Sequence, residues 1–182
     1  MAMVPRALAL TVAGCLSTGA APNQEESPMS SSSAVELTCS QAVGAPAVRC
    51  EARNVSQQTV HVFESKRMPY LLLEGDGLVL LFGVHEAPPL KSFNMVEIPV
   101  TRPLAPGETL RFERVVDPLV LANHYETVAT PAHFAGEHRL VGRVGWLSEP
   151  VTREMVHQIA MPWLLARQQT ADAVPITVNT SR

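Results

Sequence analysis

Val35-Glu36-Leu37-Thr38-Cys39 and Val48-Arg49-Cys50-Glu51-Ala52-Arg53 are the two stretches that decide the fold. In the first, Val35, Leu37 and Cys39 alternate with Glu36 and Thr38; in the second, Val48, Cys50 and Ala52 alternate with Arg49, Glu51 and Arg53. Alternate residues of a strand point to opposite faces, so this period of two describes half-buried strands with their charges on the solvent side. Both cysteines fall on the apolar faces. Between the strands, Val43-Gly44-Ala45-Pro46 supplies turn residues, and the pair reads as a hairpin.

The same idiom runs on toward the C-terminus. Asn54-Val55-Ser56-Gln57-Gln58 reads as a turn and Thr59 to Glu64 as a strand. Leu71 to Glu74 and Leu78 to Phe82 flank Gly75-Asp76-Gly77, a strong hairpin signal. Both arms are apolar on both faces, which places one of them inside a sheet or against a partner. Phe93 to Val100 is extended, Leu104 to Glu108 is a tight turn, and Leu110 and Phe112 then alternate with Arg111 and Glu113. Leu119 to Leu121 is a short strand, and Leu140, Gly142, Val144 and Trp146 carry another alternation. Val151, Met155 and Ile159 fit a short helix near 151–161 that Pro162 would stop, although an extended course fits almost equally. Val174 to Val178 is a final strand, confined to an edge by Pro175. Many short strands separated by turns predict an all-β fold, an antiparallel β-sandwich.

Composition removes several function classes. The 182 residues are 46% hydrophobic and 17% charged, too apolar for a disordered chain and too evenly mixed for a multi-span membrane protein. With 14 Lys and Arg against 17 Asp and Glu, the net charge of −3 offers no basic field for nucleic acid.

At the N-terminus, Arg6 precedes the short apolar run Ala7 to Ala13, which is far below the ~20 residues a membrane span requires. A charged start, a short apolar run and small residues make a secretory signal. Val12-Ala13-Gly14-Cys15 resembles the lipobox of bacterial lipoproteins. The resemblance implies diacylglycerol on the Cys15 sulfur, cleavage before it and acylation of the new amino end. An ordinary signal peptide cut after Ala20 is the alternative. The lipoprotein pattern divides the chain into a signal peptide at 1–14, a Ser-rich tether at 15–33 and a β-sandwich domain at 34–182. A flexible tether of this length spans about 20–25 Å. Leu16, in place of an Asp, implies export to the outer membrane in a two-membrane envelope. Partners would then be the membrane, through the lipid on Cys15, and a protein or cell-wall component. With Cys15 lipidated, Cys39 and Cys50 remain as one disulfide in an oxidising compartment, a short-loop bridge contributing roughly 2–3 kcal/mol.

Over most of residues 34–148, Asn54-x-Ser56 with Thr59-Val60, the Leu104-x-Pro106-Gly107-Glu108 turn and the late Gly-rich strand resemble immunoglobulin-like domains of bacterial envelope proteins. They are also similar to the pattern of intracellular proteinase-inhibitor-type domains, which implies protease inhibition as another function, without an inhibitory loop that can be named. The Cys–Trp–Cys spacing of antibody domains is missing, because Cys39 and Cys50 are only eleven positions apart.

Chemistry-bearing motifs are few. His124, His133 and His138 lie within fifteen residues of one another together with Glu126 and Glu137. Imidazole and carboxylate suit zinc or copper, but Pro131 and Gly136 make the segment a loop and its spacing matches no known ligand pattern. The expectation is therefore no metal and no cofactor, with a His124, His133 and His138 site as the alternative. Gly-x-Ser-x-Gly and Ser-x-x-Lys are missing, so no catalytic residue is assigned. Trp146 and Trp163 could form a ligand platform, though buried core tryptophans are commoner. Asn54 and Asn179 stand in glycosylation sequons, which carry little weight in a bacterial chain. The sequence thus predicts a non-catalytic, lipid-anchored envelope module whose partner is a protein or wall component.

Overall fold

The computed structural model describes residues 33–86, 97–116, 120–122, 127–129 and 136–180. Three strands make the first sheet. They are β1 (Val35–Gln41), β2 (Ala47–Asn54) and β7 (Thr109–Val115), all antiparallel, with β2 in the middle. The hairpin turns where the sequence places it, with Gly44 at a φ of 75° that suits glycine. In β2, Val48, Cys50, Ala52 and Asn54 are buried while Arg49, Glu51 and Arg53 are exposed.

The second sheet contains β3 (Val60–Glu64), β4 (Tyr70–Glu74), β5 (Gly77–Phe82), β6 (Val100–Leu104), β10 (Gly136–Leu147), β11 (Gln169–Asp172) and β12 (Ile176–Thr180). The twelve-residue β10 organises it. Leu140 pairs with Leu78 of β5 and Ile176 of β12, and Trp146 with Val62 of β3 and Gln169 of β11. A strand has two edges, so β5 and then β3 line one edge of β10, and β12 and then β11 line the other. The short strands β8 (Val120–Ala122) and β9 (Thr127–Ala129) form a separate hairpin, with β8 against β4.

The chain is all-β and sandwich-like, and the contacts gather Ser32–Arg182 into one compact unit. Val35, Leu37, Val48, Cys50 and Ala52 of the first sheet meet Val62, Leu78, Leu80, Phe82, Leu140, Val144 and Trp146 of the second. Burial of each such Leu or Phe contributes roughly 1.5–3 kcal/mol before chain entropy is counted. The expectation that one arm of the Gly75 hairpin is internal holds for β5. Leu78, Leu80 and Phe82 face the main core, and Val79 and Leu81 join Tyr70 and Leu72 on the opposite face.

Two expectations need correction. The second sheet is mixed, not wholly antiparallel, because β5 and β10 run parallel. The chain between them is long enough for the crossover that parallel strands require. The helix is α1 (Met161–Arg167), beyond the predicted 151–161, where residues 153–158 form turns instead. Pro162 starts the helix: near its N-terminus the missing N–H has no intrahelical acceptor to lose, and the ring's φ is already helical. Met161 and Leu164 then close the end of the sandwich over Phe63, Leu147 and Val151. The extended stretch predicted from Phe93 lies mostly outside the described residues, and β6 begins at Val100.

Candidate functional site

A cluster of charged side chains lies on the outer face of the second sheet. Arg143 of β10 donates from Nε and Nη2 to the two carboxylate oxygens of Asp172, at 2.8 and 3.1 Å, and from Nη1 to Glu74 at 3.0 Å. The backbone explains the convergence, since Arg143 pairs with Asp172 across β10–β11 and with Leu81 across β10–β5. Its hydrogen bond to Asp172 is the main cause that raises the Arg143 pKa above its ordinary value. Asp76, Glu137, His138 and Arg139 border the same shallow depression of about 460 Å³. Of its four carboxylates, Glu74 and Asp172 are engaged by the Arg143 guanidinium.

A second polar group closes the loop ahead of β4. Glu97 accepts hydrogen bonds from the hydroxyls of Ser65 and Tyr70, the latter at 3.3 Å, and its carboxylate lies 3.7 Å from the Arg67 guanidinium. Burial, with Glu97 adding to it, pushes the Tyr70 phenol far above its ordinary pKa. Tyr70 therefore stays protonated and serves as a donor.

Of the residues singled out in the sequence, Cys15, His124 and His133 lie outside the described residues. His138 stands on β10 opposite Val178, and among the described residues no three His, Cys, Asp or Glu side chains group as metal ligands. Cys39 and Cys50 face each other directly across β1–β2 and are bonded, with S–S 2.02 Å. Trp146 is buried in the main core, whereas Trp163 belongs to the cluster around α1, with Arg167 stacked 4.4 Å from its ring centroid. They form no common platform. The Asn54 sequon is structural: the residue is fully buried and its side chain is spent on four hydrogen bonds. Among the described residues no helix is long and apolar enough to cross a membrane.

Sequence reasoning passed over Gln168. Its Oε1 accepts from the Val84 N–H at 2.7 Å and its Nε2 donates to the Val84 carbonyl at 3.1 Å, as a neighbouring strand would. The amide lies over Gly83 and Gly145, where a Cβ would stand 2.6 and 2.2 Å from Oε1. Glycines inside strand patterns were the available signal, because they mark close approaches. Comparison of the chain with protein-family models, curated proteins and solved structures finds no match.

Proposed function

We propose that this protein is an envelope lipoprotein anchored through the Cys15 sulfur, and that its sandwich, immunoglobulin-like in class, is a non-catalytic binding or assembly module. The Cys39–Cys50 bridge carries the proposal. It takes two of the three cysteines and leaves Cys15 as the odd one, in the lipobox-like context Val12-Ala13-Gly14-Cys15. A structural disulfide across a hairpin also suits an oxidising, exported environment. Two acyl chains or more give stable anchoring where one gives only marginal binding. Leu16 after the cysteine favours the outer membrane as the destination, and the 15–33 tether would hold the domain just clear of the headgroups. The neutralised carboxylates around Arg143 support recognition of a protein or wall component over catalysis.

Fractionation of cells that produce the wild type and Cys15→Ser tests the proposal. The wild type is expected in membranes, from which detergent releases it, and Cys15→Ser in the soluble fraction. A Cys15→Ser protein that remains in the membrane would overturn the anchor.

A further inference from the structure

The first sheet ends at β7, which pairs only with β2 among the described residues. On the register of that pair, the Asn54 N–H donates to the Glu108 carbonyl and the Val116 N–H to the Pro46 carbonyl, each at 3.0 Å. Even-numbered residues of β7 therefore turn their backbone groups toward β2. Thr109, Arg111, Glu113 and Val115 turn theirs toward the open edge. The neighbouring edge strand of the other sheet, β6, is blunted by Pro103, which has no N–H to offer. No proline interrupts β7.

The exposed face of β7 carries a charge pattern that is complementary to itself. Within the chain, Arg111 pairs with Glu51 at 2.8 Å and Glu113 with Arg49 at 3.1 Å. We propose that two copies of this protein join their β7 edges antiparallel, about a two-fold axis at Phe112, into one continuous six-stranded sheet. Arg111 of each copy then lies opposite Glu113 of the other. The row across the joint reads Arg49, Glu113, then Arg111 and Glu51 of the second copy, with signs alternating throughout. The backbone agrees, because Arg111 and Glu113 both own edge-directed groups, whereas Phe112 sits on the axis as a non-hydrogen-bonded pair. A shift of two residues either way places Arg111 opposite Arg111 or Glu113 opposite Glu113, so charge selects a single register. On the inner face, Arg114, whose buried Nε has no hydrogen-bond partner, meets Leu110 of the second copy.

Native mass spectrometry of the purified full-length protein in mild detergent tests the joint through a charge-reversal pair. Wild type is expected to dimerise with rising concentration. Arg111→Glu and Glu113→Arg each place like charges opposite one another twice, and each should weaken its own dimer by roughly tenfold or more. Mixed together, the two variants face each other with opposite charges at both positions and should form the mixed dimer. A wild type that stays monomeric, variants that dimerise like the wild type, or a mixture without mixed dimer would each overturn the proposal. Should either variant fail to fold, Thr109→Cys with Val115→Cys replaces it. These positions are opposed across the joint and lie six residues apart along one extended strand, too far to bridge within a chain. Oxidation should give a linked dimer, and its absence would overturn the proposal.

Discussion

Cys39 of the first sheet rests directly on Gly142 of the second: a Cβ at Gly142 would stand 2.2 Å from the Cys39 Sγ. The disulfide thus does more than staple β1 to β2. It fills the space between the sheets above β10, beside Leu37 and Ala173. Gly142→Ala should destabilise the fold by about 2–3 kcal/mol, because sulfur in a bridge cannot rotate away. Loss of the bridge itself, by Cys39→Ala with Cys50→Ala, should cost about 2–3 kcal/mol. Adding Gly142→Ala to that pair should then cost much less, since the obstructing sulfur is gone. Denaturant titration of the set measures the coupling, and strict additivity would contradict the contact.

Asn54 holds the end of β2 to the turn between β6 and β7. Its amide donates to the Gln58 and Leu104 carbonyls at 2.7 and 2.8 Å, while its carbonyl accepts from the Ser56 N–H and hydroxyl. Asn54→Ala removes four hydrogen bonds made by a fully buried side chain and should cost ~2–3 kcal/mol. Asn54→Asp should cost at least as much, because a carboxylate would then face two carbonyl oxygens. A loss below half a kcal/mol in denaturant titration would refute this role.

Gln168 and Gly145 should behave as one unit. Gly145→Ala alone drives a Cβ into the Gln168 amide and should cost about 1–3 kcal/mol. Gln168→Ala removes the obstruction along with the two hydrogen bonds to Val84, so the double variant should be more stable than the sum of the single losses predicts. Thermal melts of the four proteins decide it.

Acid should weaken the fold through His85 and His61. Burial lowers both imidazole pKa values below the ordinary 6.5. With the folded pKa depressed, the unfolded chain takes up protons first. Their contribution is therefore whole above about pH 6.5, falls as pH drops below it, and levels off once the folded state is protonated too. His85→Gln with His61→Gln should flatten the decline in stability between pH 7 and 5. An unchanged slope would show that other groups set it.

How far the sequence reaches can be seen at particular residues. Alternation placed β1, β2 and β7 because each has one wet face and one dry face, and it showed in β3 and β10 although Phe63 and Leu147 are buried on the second face. It placed one arm of the Gly75 hairpin inside a sheet or against a partner, because both arms are apolar on both faces, without choosing between β4 and β5. It could not show that β5 and β10 run parallel, since a strand buried on both faces reads the same in either direction. It put the helix one step too early because Pro162, which breaks a helix interior, also suits a first turn. Strand β11, Gln169–Asp172, escaped because its short polar run has no apolar face and depends on β10 for its pairing. The Arg143 cluster escaped because Glu74, Arg143 and Asp172 are far apart in the chain and only the sheet brings them together.

The anchor on Cys15 is the central claim, and the mass of the N-terminal peptide of the protein recovered from its own host tests it most directly. The expected result is a mature chain that begins at Cys15 and carries a diacylglycerol on sulfur with an acyl group on the new amine. An unmodified peptide that begins at Ala21, or at Met1, would contradict it.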